Sequence, residues 1–294
     1  YHVHSYLYTL SFQAVLTKMF SKKNMLLQLH GGLGMPPYSL GISKTIVKYI
    51  YDRTIGAFII KNSDLVASVS RKDLHYVASR YSLDESRLRY VPNSVDTKIF
   101  APKKEPRSEV RKVILFIGDL EPWKGIGIIT EWFQNALKSN TSPLTFRFVG
   151  QGSLTQDLIR YRDLFRLKDN GIRIEVLGQR THDVIPRLME HADALLLPSY
   201  WEGFPTVVLE AMAAGIPVIS TPVGDVPNLV TNGQEGIIID YSRDSLDNAL
   251  ERVLCNDREL VRMTHKARRK VVNYYSIKHV IKTLYDVYQE VHAK

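Results

Sequence analysis

Two glutamates eight positions apart, Glu202 and Glu210, flank the run Gly203-Phe204-Pro205 in ALLLPSYWEGFPTVVLEAMAAG, residues 194–215. An ionised carboxylate only accepts hydrogen bonds, so a pair of them on one loop and helix start can take the hydroxyls of a polyol. Backbone N–H groups at the helix start between them would face an anion. Together these suit a sugar nucleotide. The plainer alternative makes Glu202 a helix cap and Glu210 a surface residue. Against it, Glu210 sits among Val207, Val208, Leu209 and Met212, where an unpaired charge is costly.

A second group of residues is GDLEPWKG, Gly118 to Gly125. A glycine where a strand meets its loop lets a ligand approach the backbone, and Lys124 enters as a point charge at a helix start. A lysine so placed suits a diphosphate, each charged hydrogen bond contributing about 1.5–3 kcal/mol. Taken singly, Lys124 reads first as an exposed helix-start lysine, and Gly150 in VGQG as a strand-end turn. The third group is LHGGLG, where His30 at a strand end beside glycines either contacts a ligand or simply completes a turn. It is no dinucleotide fingerprint, because the third glycine and the following acid are missing. The chain also lacks a phosphate loop of the G-x-x-x-x-G-K-[ST] kind, a G-x-S-x-G elbow and any His/Cys set at metal spacing. Neither a metal nor a cofactor is expected.

The elements that must hold these residues follow from periodicity. Short β-branched runs at 113–118, 145–150, 174–178, 194–199, 217–221 and 236–240 alternate with helical patterns at 125–138, 154–167, 184–191 and 205–214, with a shorter one near Pro227. That is βαβ repetition, hence a parallel sheet covered on both faces, closed by right-handed crossovers into a doubly wound α/β domain. Ligands of such sheets sit beyond the carboxyl ends of the strands, which is where Glu202 and Lys124 fall. Helical patterns then occupy 245–255, 257–274 and 276–292, the last with Val280, Leu284, Val287 and Val291 on one apolar stripe. Upstream, 25–29, 65–70 and 88–91 read as strands, and 43–61 and 71–81 as helices. The charged, proline-bearing segment 101–111 reads as a linker. The expected division is 1–104, 105–275 and a terminal helix 276–294 that crosses back to the first domain. The first domain, with three or four strands, reads as short by one or two βαβ units.

The 294 residues, 45% hydrophobic and 23% charged, have the balance of a folded globular chain, which excludes disorder as the main state. One cysteine, Cys255, allows no internal disulfide, so a cytoplasmic setting is expected, on the inner face of the membrane if peripheral. No 18-residue apolar window predicts a membrane span. The chain opens at Tyr1 without an initiator Met and reads as a fragment or processed form. Net charge is +9, unevenly spread: residues 1–100 carry 13 Lys and Arg against 6 Asp and Glu, and residues 242–294 carry 11 against 7. Such ends suit phosphate-bearing partners or an anionic membrane face, or they are solvated helix faces. No nucleic-acid recognition motif is present, so nucleic acid is not expected.

Taken together, VPNSVDTKIFAP, ILFIGDLEPWKG, FVGQGSL, the stretch 192–230 and NGQEGIII resemble family 4 of the retaining glycosyltransferases. These are GT-B enzymes with two Rossmann-like domains facing a cleft, and Glu202-Gly203-Phe204-Pro205 with Glu210 matches the family's two-glutamate signature. The resemblance implies transfer of a sugar from a nucleotide-diphosphate donor with retention, without an obligatory metal, to a glycan, lipid-linked or small-molecule acceptor. It gives Lys124 the donor diphosphate, Glu210 the ribose hydroxyls and Glu202 the sugar or its reacting face. Gly203, Phe204 and Pro205 would present backbone to the donor beside Gly118 and Gly150, and His30 would reach the donor sugar from the first domain. Two positions depart from the pattern: Asp119 stands where the family has arginine, which should weaken donor binding unless Asp119 points away or Arg180 compensates, and Ser94 replaces a glycine. The rival implied by Asp119 and the short first domain is a catalytically silent GT-B binding subunit of a glycosyltransferase complex.

Overall fold

A computed structural model of the chain describes residues 1–7, 9–21, 23–31, 33, 42–103, 111–138, 143–168 and 171–293. They divide into two units. The first comprises Tyr1–Asn93, Glu202–Phe204 and Ile277–Lys294, the second Ser94–Trp201 and Pro205–Ser276.

In the first unit, strands β1 (His2–His4), β2 (Leu26–Leu29), β3 (Leu65–Ser68) and β4 (Leu88–Tyr90) form a parallel sheet in chain order. Helices α1 (Thr9–Ser21), α2 (Ile42–Arg53), α3 (Ile55–Asn62) and α4 (Arg71–Tyr81) lie between them. Successive strand side chains point to opposite faces, and the two cores follow that period of two. Leu27, Leu29 and Val66 pack with Val15 of α1, Ile59 and Ile60 of α3 and Val77 of α4. Leu26, Leu65 and Ala67 point the other way and, with Val91, meet Val280, Val287 and Val291 of the last helix, α12 (Ile277–Ala293). Among the described strands this sheet winds in one direction only. Its crossover helices therefore share a face, and the apolar stripe of α12 covers the opposite one.

In the second unit, β5 (Lys112–Ile117), β6 (Leu144–Val149), β7 (Ile172–Val176), β8 (Ala194–Leu197), β9 (Val218–Ser220) and β10 (Ile237–Ile238) pair in parallel in the order β10-β9-β8-β5-β6-β7. The order reverses between β5 and β8, the doubly wound switch point beside which ligands of open α/β sheets bind. Helices α5 (Ile126–Ala136), α6 (Thr155–Lys168), α7 (Ile185–Glu190), α8 (Thr206–Ala214) and α9 (Val226–Leu229) connect the strands, and α10 (Arg243–Cys255) and α11 (Asp257–Tyr274) follow. The core is aromatic at its centre: Phe133 of α5 meets Phe146, Phe148 and Phe165 edge-on, the arrangement ring quadrupoles favour.

The break between units falls after Asn93, eleven residues before the boundary read from composition. The reason is local. Val95 N–H donates to the Tyr275 carbonyl, Phe100 is buried, and the Arg268 guanidinium of α11 donates to the carbonyls of Thr97, Phe100 and Ala213, so 94–100 is bound to the second unit. Most of the expected linker, residues 104–110, lies outside the described residues.

Candidate functional site

In the second unit, three loops at the carboxyl ends of β5, β6 and β8 are joined backbone to backbone. Gly118 N–H donates to Val149 O and Leu120 N–H to Gln151 O, both at 3.0 Å, and Tyr200 N–H donates to Trp123 O at 2.8 Å. Glycines make this approach geometrically possible. A Cβ on Gly125, at φ +75°, would stand 1.9 Å from Pro198 O, and one on Gly150, at φ +141°, 1.9 Å from Gly118 O. No side chain fits there.

Lys124 closes the 3-10 turn Pro122–Lys124 that runs into α5. It is half-buried, and its side chain lies over Gly118, whose Cβ would stand 3.8 Å from Lys124 Cε. The lysine therefore stands at the amino end of a helix with no acid in its first turn, at the switch point of the sheet. Helix dipole, orphan N–H groups and ammonium all favour an anion there. From the adjacent strand, α8 starts at Thr206 after Pro205, again with no acid in its first turn.

One turn into α8, Glu210 is only 9% exposed between buried Leu209 and Ala211. Its Oε1 lies 2.8 Å from Nε2 of His182, in the 3-10 turn before α7, so the imidazole satisfies one carboxylate oxygen. His182 stacks at a tilt on Phe100, ring centroids 5.7 Å apart. Sequence spacing gives no hint of this pair, since no local pattern links position 182 to position 210. Only the pairing order of the strands could have brought positions 28 apart together. Asp119 is exposed, and Arg180, beyond edge strand β7, is exposed with Nη1 directed at the neighbouring Gln179 O, 3.4 Å away.

In the first unit, His30 follows β2 at its carboxyl end. Gly31 meets Gly203 so closely that a Cβ on either would stand 3.1–3.2 Å from the other's Cα. The segment Glu202–Phe204 thus lies against His30 and Gly31, and Asn93 Nδ2 reaches Phe204 O at 3.5 Å. Phe204 is buried and Glu202 half-buried. Gly32 and Gly34 of the glycine-rich turn lie outside the described residues. His30 Nε2 lies 2.8 Å from His4 Nδ1, and partial burial followed by the neighbouring His4 lowers the His30 pKa from the usual imidazole value. Among the described residues no set of three His, Cys, Asp or Glu could hold a metal ion.

Comparison with known proteins gives these features a context. Residues 97–270 match the family model described as glycosyl transferases group 1. The chain is 30% identical over 254 residues to the UDP-Gal:alpha-D-GlcNAc-diphosphoundecaprenol alpha-1,3-galactosyltransferase of Escherichia coli, covering 82% of this chain and 64% of that protein. It is 26% identical to the D-inositol 3-phosphate glycosyltransferase of Corynebacterium efficiens, over 74% of this chain and 54% of that one. The chain thus spans between about half and two thirds of these relatives. Among solved structures, Anabaena HepE in complex with UDP and glucose superposes with a TM-score of 0.77 at 17% identity, covering all of this chain and 78% of that one. The fold is therefore that of the GT-B glycosyltransferases, two parallel-sheet α/β units. With more than half its length matched by the family model, this chain belongs to the group 1 glycosyl transferases.

Proposed function

We propose that this chain carries the donor half and part of the acceptor half of a retaining, family 4 glycosyltransferase, which moves a sugar from a nucleotide diphosphate to a phosphate-bearing acceptor. The observation that carries the reading is Lys124: an ammonium at the amino end of α5, beside the switch point of the second sheet, with the start of α8 on the adjacent strand. A nucleoside diphosphate departs with developing charge on its phosphate. A fixed cation and two helix amino ends meet that charge without reorganising, and no metal is needed for it. Glu210, held by His182, accepts from the ribose hydroxyls. Glu202 and His30 take the sugar and its reacting face.

Two relatives support the acceptor class, since their names specify a diphosphoundecaprenol-linked sugar and an inositol 3-phosphate. The first also names UDP-galactose as donor. A lipid-linked acceptor would place the enzyme at the inner, anionic face of a membrane, consistent with its single cysteine, Cys255. No helix among the described residues is long and apolar enough to cross one.

The test is turnover of a UDP-hexose by the full protein. Lys124→Ala lowers kcat/KM by about 100-fold, the usual cost of removing one preorganised charge stabiliser. Glu202→Ala lowers it comparably, with folding checked by circular dichroism. Rates equal to those of the parent in both variants would end the enzymatic reading.

A further inference from the structure

Three histidines run along the β1–β2 pair of the first sheet. His2 and His4, two apart on β1 and so on one face, stand beside β2, with His4 in register with Gln28. His2 Nε2 donates to Gln28 Oε1 at 3.0 Å, which leaves Nδ1 to accept from the Tyr288 hydroxyl of α12 at 2.7 Å. The His2 and His4 ring centroids are 4.2 Å apart. The His4 ring then lies edge to edge with His30 and nearly coplanar with it, centroids 5.1 Å apart at 18°, its Nδ1 meeting His30 Nε2 at 2.8 Å. The turn after His4 is built to hold it: Ser5 adopts φ +66°, uncommon for a non-glycine residue. Its N–H donates to Gln28 O, and its carbonyl accepts from Ser11 Oγ at 2.6 Å.

We infer that His4 is a positioning residue: by its hydrogen bond it fixes the ring of His30, engaging Nε2 and leaving Nδ1 as the nitrogen that meets a sugar hydroxyl. This deepens the reading of His30 as a donor-sugar contact and rests on it. The His30 backbone is already fixed, since its carbonyl lies 3.5 Å from where a Gly203 Cβ would stand. Without His4 the ring retains freedom about both side-chain torsions. The groups facing His30 are His4 and, beyond it, His2. Tyr288 faces His2, and Glu202 comes with the loop packed on Gly31. Burial and then His4 lower the His30 pKa, so a neutral ring persists further into acid than an ordinary imidazole would.

His4 is exposed, so its replacement leaves the core intact. In His4→Leu, kcat/KM for a UDP-hexose falls by about tenfold, the worth of one hydrogen bond. The acid limb of the pH profile moves up toward the ordinary imidazole value, because one of the two lowering causes is gone. His4→Asn, whose amide nitrogen stands close to the Nδ1 position, restores the rate at neutral pH. Nitrogen-15 spectra of the His30 ring change tautomer balance in His4→Leu and recover in His4→Asn. Unchanged His30 ring signals in His4→Leu would overturn the inference. If those signals move but His30→Ala turns over normally, the positioning stands and the donor-contact reading of His30 falls, so the two failures are distinguishable.

Discussion

Glu210 is the residue whose chemistry depends most on a partner outside its own helix. Its carboxylate is nearly buried, and the His182 imidazole at 2.8 Å is 73% exposed on its side chain, so the bond joins a desolvated acceptor to a solvated donor. Removing a buried group's partner costs more than the bond's net worth, because the group keeps its desolvation penalty. In His182→Ala, stability therefore falls by about 1 kcal/mol, read from thermal unfolding. The freed carboxylate also loses its fixed orientation, and UDP affinity measured by calorimetry drops by up to about tenfold. Undiminished affinity would reduce the pair to a packing role. The carboxylate itself was legible in sequence, since an acid inside an apolar helical run must be used for something. Its histidine was not, because the link runs through tertiary pairing, which no local pattern encodes.

At the level of elements, the site is made by loops whose backbones touch. Gly150→Ala would force a Cβ to 1.9 Å from Gly118 O at a φ of +141°, and no flexible side chain is there to yield. Overpacking and the unfavourable backbone region add, for an expected loss of about 3 kcal/mol or more. Gly127, in the first turn of α5, is the internal control, because a Cβ there meets nothing within 4 Å. Gly127→Ala should gain up to about 1 kcal/mol through helix propensity. Equal melting temperatures for the two variants would contradict the backbone-contact account. The same contrast explains what the sequence could disclose. The βαβ alternation from residue 113 onward is carried by long apolar periods, and α11 begins and ends where its pattern does. Strand β1 is three residues, two of them histidine, held by one parallel neighbour, and α1 leaves Leu10, Met19 and Phe20 exposed. Neither has a clean period, so neither is legible in the sequence.

For the whole molecule, the division into units decides how the +9 charge is distributed. Only Ile277–Lys294 of the basic tail goes with the first unit, whereas α10 and α11 stay in the second. Even so, the first unit holds 15 Lys and Arg against 8 Asp and Glu, and the second 24 against 22. Nearly all the excess lies on one unit. That unit also exposes Val47, Tyr49 and Ile50 on α2, interleaved with Lys44 and Lys48, and Phe20 on α1, 89% exposed. Lys48 is paired with Asp52 and adds little to a long-range field. Basic residues near an anionic bilayer contribute about 1 kcal/mol each, and the attraction decays within a Debye length of roughly 8 Å at physiological salt. The protein should therefore float with phosphatidylserine vesicles at low salt, detach as salt rises, and ignore phosphatidylcholine vesicles. Val47→Asp with Ile50→Asp tests the apolar share separately: binding to the acidic vesicles weakens although the fold, whose cores exclude both residues, persists. Equal capture by neutral and acidic vesicles at low salt would show that this charge is a solvated surface and that the acceptor is met in solution.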